Sequence, residues 1–321
     1  MIFLREQDVA QLVGVRDAIE AVEQALVLAA RGEATNRPRE RVGGPGRPWL
    51  HIMPGAVWAW GVLGFKAYVT GPAGARFMVF VFDAAQGTPL AAIEANHLGR
   101  LRTGAASAVA SRYMARPDSQ SMVLIGAGHQ AETQLEAVAS VLPLRRVWVA
   151  SRNPERAREF CRRMAGRVPQ VQLEVAEGDQ LRRAVEQADV VTTITTSRTP
   201  VLSGEWLRPG THINAAGSNH AARQELDVAC VLRAARVVVD DLEQARRECG
   251  DLLAAEPQGF GWTKVVELAQ VVAGQVPGRL SPDEVTLFES QGIALEDVAL
   301  AHRILERARA KAWPQLPLWE G

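Results

Sequence analysis

The feature that most restricts what this chain can fold into is the run Ser121-Met-Val-Leu-Ile-Gly-Ala-Gly-His-Gln-Ala131. A short apolar segment leads into Gly126-x-Gly128-x-x-Ala131, and an apolar-periodic segment comes after it. A strand that feeds a helix through a glycine turn of this kind is a dinucleotide fingerprint. Gly126 permits the tight turn, Gly128 lets backbone approach a pyrophosphate, and Ala131 allows close packing of helix on strand. The N–H groups around Ala127, His129 and Gln130 sit at the positive end of that helix, where phosphate oxygens are stabilised.

A glycine pattern alone is weak evidence; its surroundings give it weight. Beyond Pro117 the sequence alternates strands (121–125, 146–150, 171–175, 190–195, 211–215, 237–240) with helices (130–142, 154–165, 181–187). That alternation predicts a doubly wound parallel sheet. The second strand is followed by Ser151-Arg152-Asn153-Pro154, without the acid that binds the ribose hydroxyls of NAD. Ser151 and Asn153 supply neutral hydrogen bonds and Arg152 a bidentate grip on a 2′-phosphate, so NADP(H) is favoured over NAD(H). Ligands of such sheets lie at the carboxyl ends of the strands. Thr195, Thr196 and Ser197, and then Gly217 and Ser218, fall at later strand ends and are assigned to the cofactor.

The first third of the chain reads differently. Helical spacing covers 8–30, with Asp8 and Asp17 as candidate caps, and a Pro/Gly/Arg-rich stretch at 32–48 allows one short strand. Apolar runs at 49–53, 62–69, 77–83 and 89–94 form an antiparallel sheet with a hairpin turn at 84–88, and an Ala-rich helix spans 103–115. A final helix at 295–313 is free to fold back on this part. The expected fold class is therefore α/β: a Rossmann-type doubly wound parallel sheet plus a smaller α+β domain. The boundaries are 1–117 with the C-terminal segment 295–321 for the first domain, and 118–294 for the Rossmann domain.

Lysine plus arginine equal aspartate plus glutamate, 36 against 36, which gives no sign of nucleic-acid or membrane attraction. Cys161, Cys230 and Cys249 match neither a zinc nor a disulfide spacing. Arg5, Glu6 and Asp8 interrupt any signal-peptide run near the start, and no apolar stretch reaches the roughly 18 residues that span a bilayer. The expectation is a cytoplasmic protein with a small-molecule substrate and no metal.

A carboxylate substrate needs fixed cations. Arg37, Arg39 and Arg41 cluster in the arginine-rich stretch. Lys66 lies within an apolar strand, where an ammonium is costly unless it snorkels or is held for chemistry. Arg102 precedes the Ala-rich helix, where a cation opposes the helix dipole. Such local conflicts mark functional sites.

The segment Arg102-Thr103-Gly104-Ala105-Ala106-Ser107-Ala108 resembles one from the ornithine cyclodeaminase/mu-crystallin family. So do Met53-Pro54-Gly55, Gly64-Phe65-Lys66, Gly126-Ala127-Gly128-His129-Gln130-Ala131, 210–215 and Gly278-Arg279-Leu280-Ser281. The resemblance runs over nearly the whole chain. It implies a substrate and dimerisation domain plus a Rossmann domain, a homodimer built through the first domain's sheet, and hydride transfer at the α-carbon of an imino or amino acid. Ketimine reductases, pyrroline-2-carboxylate reductases and amino-acid dehydrogenases all belong to this class. By motif, Arg41 and Arg102 clamp the substrate carboxylate, with Arg39 the other candidate for Arg41's place. Lys66 acts at the reacting carbon and nitrogen, and Thr103 contacts the cofactor. Asn219 stands where cyclodeaminases carry an acid–base aspartate. An amide neither takes up a proton near neutrality nor neutralises a distal ammonium, which counts against ornithine cyclisation. The alternatives are that lyase reaction, with NAD as an internal hydride shuttle, and a non-catalytic NADPH-dependent ligand-binding protein.

Overall fold

The computed structural model describes residues 1–44, 46–72 and 74–316. It packs as two compact units, Met1–Arg102 together with the chain from Ile293 onward, and Thr103–Gly292.

The first unit begins with β1 (Ile2–Leu4), α1 (Glu6–Leu12) and α2 (Val15–Ala30). The single helix expected over 8–30 is thus two. Gly14 adopts an extended conformation (φ −125°, ψ −172°) and its N–H donates to Asp17 Oδ2 at 2.9 Å, which restarts the helix. Asp8 serves α1 in the same way, accepting the Arg5 N–H at 2.8 Å. Both aspartates act from inside the first turn and reach back, as in a capping box. The 32–48 stretch holds two short strands instead of one, β2 (Ala34–Asn36) and β3 (Glu40–Val42). Both pair with the long β4 (Trp49–Val57), which continues into β5 (Val62–Gly71), β6 (Gly74–Asp83) and β7 (Pro89–Glu94).

The sheet order is β1-β7-β6-β5-β4-β2 with β3 also on β4; β4 to β7 run antiparallel and β1 lies parallel to β7. Met53, Lys66, Val79 and Ile93 stand in register across four strands and are all buried. Phe65, Phe80 and Phe82 alternate to the opposite face and are half-buried. The next helix, α3 (Asn96–Met114), starts well before residue 103. Its first N–H groups, on Asn96 and His97, donate to the Glu6 carboxylate at 2.6 and 2.8 Å, a cap supplied from far away in sequence. Arg102 therefore sits inside a helix and not at its start.

The units divide within α3, earlier than the change of pattern at Pro117. The small-residue face after Arg102 belongs to the second unit's packing: a Cβ on Gly104 would lie 2.5 Å from Thr133 O, and Gln134 Nε2 donates to Thr103 O at 3.2 Å.

The second unit contains β8 (Ser121–Ile125), α4 (His129–Val141), β9 (Arg146–Ala150), α5 (Pro154–Met164), β10 (Gln172–Val175), α6 (Asp179–Val185) and β11 (Val190–Thr193). Then come β12 (His212–Ala215), α7 (Val228–Arg233), β13 (Arg236–Val239), α8 (Leu242–Glu248), α9 (Gly250–Ala255), β14 (Val265–Glu267), α10 (Leu268–Val272) and β15 (Thr286–Glu289). All eight strands are parallel, in the order β10-β9-β8-β11-β12-β15-β13-β14. Alternate residues feed two cores: Val123, Val191, Ile213, Val237 and Leu287 on one side, Met122, Leu124, Val147, Val149 and Val190 on the other. This is the Rossmann-type sheet expected of the sequence. Trp262 and Phe260 pack edge-on in this core, 5.8 Å apart.

The last helix, α11 (Ala294–Ala310), returns to the first unit and packs against α2, β4 and β5. It ends short of the expected Trp313, where Ala312 takes a positive φ of 51°. Residues 317–321 of the expected C-terminal segment lie outside the described residues. Among the described residues no helix is long and apolar enough to cross a membrane.

Candidate active site

In the first unit, Lys66 of β5 is 4% exposed. Its Nζ donates to Asp297 Oδ1 at 3.0 Å and lies 5.2 Å from the centroid of the Phe77 ring. A Cβ on Gly99 would come within 3.3 Å of Nζ, so the bare glycine leaves room for the ammonium beneath α3. Arg102 reaches the same carboxylate from α3: its Nε donates to Asp297 Oδ1 at 3.2 Å and its Nη1 to Glu296 Oε2 at 2.9 Å. Arg39 is buried beside them, with Nε 3.4 Å from Met53 Sδ. The structure thus brings Lys66, Arg102 and Arg39 together. Arg41 is half-buried and lies two pairs further along the sheet from Lys66, opposite His51.

Glu296 and Asp297 were not anticipated. Acids in a helix's first turn are ordinary partners of its dipole, and nothing local marks these two as buried. Yet both are nearly inaccessible, and Asp297 Oδ2 and Glu296 Oε1 have no hydrogen-bond partner among the described residues. Burial pulls the Lys66 ammonium down to about 8 against the opposing attraction of Asp297. Burial also raises Glu296 to about 7, opposed by Arg102. Among the described residues, the buried formal charges of this unit are Arg39, Lys66 and Arg102 against Glu296 and Asp297.

The second unit carries a cleft of about 620 Å³ at the carboxyl ends of β8, β9 and β11. Gly126, Ala127, Gly128, Ser151, Arg152, Thr195, Thr196 and Ser197 all line it, as does Arg156. The glycine turn fits a dinucleotide. Gly126 has φ +126°, and a Cβ there would lie 2.4 Å from Ile194 O. A Cβ on Gly128 would meet no atom within 4 Å, so the space in front of α4 is open to a phosphate. His129 and Gln130 are exposed at the start of α4. Asn153 is outside the lining; its side-chain oxygen caps α5 by accepting the Glu155 N–H at 3.0 Å. Thr103 is buried within α3 and its carbonyl accepts from Gln134.

Gly217, Ser218 and Asn219 come after β12 in a half-buried loop. A buried carboxylate that sequence reasoning missed, Glu225, organises this region. It accepts the Thr195 N–H at 2.6 Å, the Gly217 N–H at 2.7 Å and the Thr193 hydroxyl at 3.0 Å, tying together the loops after β11 and β12. It lies in irregular chain, where no periodicity signals burial. Cys161, Cys230 and Cys249 are free thiols.

A parallel doubly wound sheet with a glycine turn opening on such a cleft defines a dinucleotide-binding protein. The model of the ornithine cyclodeaminase/mu-crystallin family matches residues 1–312, and the chain belongs to that family. The alanine dehydrogenase of Archaeoglobus fulgidus is 34% identical, over 97% of this chain and 96% of its own. The iminosuccinate reductase of Paracoccus denitrificans is 35% identical, over 98% and 99% respectively. Among solved structures, the Thermococcus litoralis Δ1-pyrroline-2-carboxylate reductase in complex with NADH and L-proline superposes with a TM-score of 0.92 at 33% identity, covering 97% of this chain and 98% of that one.

Proposed function

We propose that this protein is a nicotinamide-dependent oxidoreductase acting at the α-carbon of an imino or amino acid, as an imino-acid reductase or, in reverse, an amino-acid dehydrogenase. One observation carries this reading: Lys66, whose ammonium is flanked by Gly99, and Arg102 converge on the same buried carboxylate oxygen of Asp297, with Arg39 buried nearby. Arg39 and Arg102 hold the substrate carboxylate; Arg39 takes the place expected of Arg41 because it is the buried member of the cluster. Lys66 gives a proton to the imine nitrogen in reduction and takes it back in oxidation. Bound nicotinamide supplies or accepts the hydride. Asp297 keeps Lys66 and Arg102 in one geometry, and fixed orientation of this kind accounts for a large part of the rate.

NADP(H) is the preferred cofactor in this reading. Ser151, Arg152 and Arg156 line the cleft beyond β9, where an NAD site places an acid. The first unit binds substrate and forms a homodimer through the aromatic outer face of its sheet, and the free thiols fit a reducing, cytoplasmic setting. Asn219, an amide, supplies no acid–base group for cyclisation, so the reaction consumes cofactor, which a cyclodeaminase does not.

The test is spectrophotometric. Purified protein is mixed with NADPH or NADH and a panel of substrates: Δ1-pyrroline-2-carboxylate, Δ1-piperideine-2-carboxylate, and oxo acids with ammonia. Net oxidation of NADPH, faster than of NADH, is expected. No oxidation with any of them removes the reading.

A further inference from the structure

In the second unit, the loop after β11 is held from three directions. On one side it meets the glycine turn, where only a bare Gly126 leaves room for Ile194 O. On another it meets the loop after β12: a Cβ on Gly217 would collide with the N and O of Thr195. The third hold is the Glu225 carboxylate, which is 1% exposed. Its Oε1 accepts the Thr195 N–H, and its Oε2 accepts the Gly217 N–H and the Thr193 hydroxyl. Thr195 extends the hold, since its Oγ1 accepts the Ser197 N–H at 3.1 Å. The carbonyl of Glu225 accepts the Val201 N–H at 2.7 Å. Ile194, Thr195, Ser197 and Val201 all line the cleft. Glu225 is fixed in turn by buried Asp251 of α9, whose Oδ1 accepts the N–H groups of Glu225 and Leu226 at 2.9 and 3.0 Å.

The donors leave little choice of side chain. Three of them converge on two oxygens, so both oxygens must accept. A glutamine offers one acceptor, and its NH2 would face a backbone N–H, leaving that donor unpaired. Burial works against the carboxylate, opposed by these hydrogen bonds. A costly group kept at strand ends, where ligands of such sheets lie, marks function more than folding.

We propose that Glu225 is a positioning residue for the cofactor, tying the loops after β11 and β12 into the wall that receives the nicotinamide half of the dinucleotide. This role rests on the nicotinamide-dependent reading given above. Glu225 is outside the cleft lining and acts through Thr195, Ser197 and Val201. The adenosine half is held elsewhere, at the glycine turn and beside Ser151 and Arg152.

The experiment titrates NADPH and adenosine 2′,5′-bisphosphate, the fragment without the nicotinamide half, into wild type and Glu225→Gln by calorimetry. NADH and ADP form the pair if NADH is the tighter ligand. Glu225→Gln is expected to weaken the dinucleotide about tenfold or more, the size of one buried hydrogen bond lost. The fragment is expected to weaken by less than about twofold, since its sites share no partner with Glu225. In turnover, KM for NADPH is expected to rise while KM for the imino acid at saturating NADPH does not. Thr193→Val removes only the hydroxyl donor and keeps the shape. It is expected to act in the same direction by about two- to fivefold, and it decides the matter if Glu225→Gln does not fold. Equal weakening of dinucleotide and fragment, or wild-type affinities, in the variants that fold overturns the role of Glu225 and leaves the oxidoreductase reading in place. A wild-type protein that binds neither dinucleotide overturns both.

Discussion

At Lys66, burial and charge pull in opposite directions. Burial lowers the ammonium and Asp297 raises it, and about 8 is the outcome. The group is protonated below that value and neutral above it. Reduction needs the proton, so kcat/KM for imine reduction is expected to be level on the acid side and to fall above about pH 8; oxidation of the amino acid is expected to rise over the same interval. Lys66→Met should cost roughly 10²–10⁴-fold in kcat, the usual worth of a positioned acid or base, with nucleotide affinity retained in a fluorescence titration. Asp297→Asn removes the group that raises Lys66. The falling limb should then move to lower pH along with the loss in rate, whereas a purely structural role for Asp297 would lower the rate at all pH values without moving the limb. Lys66 was legible in the sequence because an ammonium in an apolar strand conflicts with its surroundings. Asp297 was not, since an acid in the first turn of a helix conflicts with nothing, and its partners lie far away in the chain.

At the scale of elements, the glycine turn and the strand after it carry the cofactor account. Gly126→Ala forces a side chain into φ +126° and to within 2.4 Å of Ile194 O. It is expected to lose nucleotide binding in calorimetry and to destabilise the fold by about 1–3 kcal/mol. Arg152→Ala should weaken NADPH at least about tenfold more than NADH, read as the ratio of their KM values; equal effects on both would remove Arg152 from 2′-phosphate recognition. The strand–helix alternation of the second unit was readable because its strands are short apolar runs bounded by turn residues. Other features escaped, among them the following. The start of α3 depends on Glu6, a cap from far along the sequence. The break between α1 and α2 depends on one glycine inside an unbroken apolar period. β14 and β15 are short, and β15 is buried along its whole length despite carrying Thr286 and Glu289, so neither shows a strand's alternation.

For the molecule as a whole, the proposed homodimer rests on the face of the first unit's sheet that carries Phe65, Phe80 and Phe82. Phe65 stacks with Phe80 and Phe82 at centroid distances of 5.0 and 6.1 Å, and Val69, further along the same face of β5, is 45% exposed. An apolar sheet face of this kind marks an interaction surface. A homodimer through it is expected in analytical ultracentrifugation, and Phe80→Asp should shift the population to monomer; a wild-type monomer at micromolar concentration would refute the assembly. The two-part organisation was visible as a change from antiparallel to alternating pattern, but the division inside α3 was not, because a helix shows no seam where its packing partner changes. The claim on which all of this depends is that hydride reaches the substrate's α-carbon. Its most direct test is turnover with NADPH carrying two deuterons at the nicotinamide C4, so that either face delivers label, followed by mass spectrometry of the amino-acid product. Deuterium at the α-carbon in stoichiometric amount with the NADP formed is the expected result; an unlabelled product, or product formed without net oxidation of the cofactor, would contradict it.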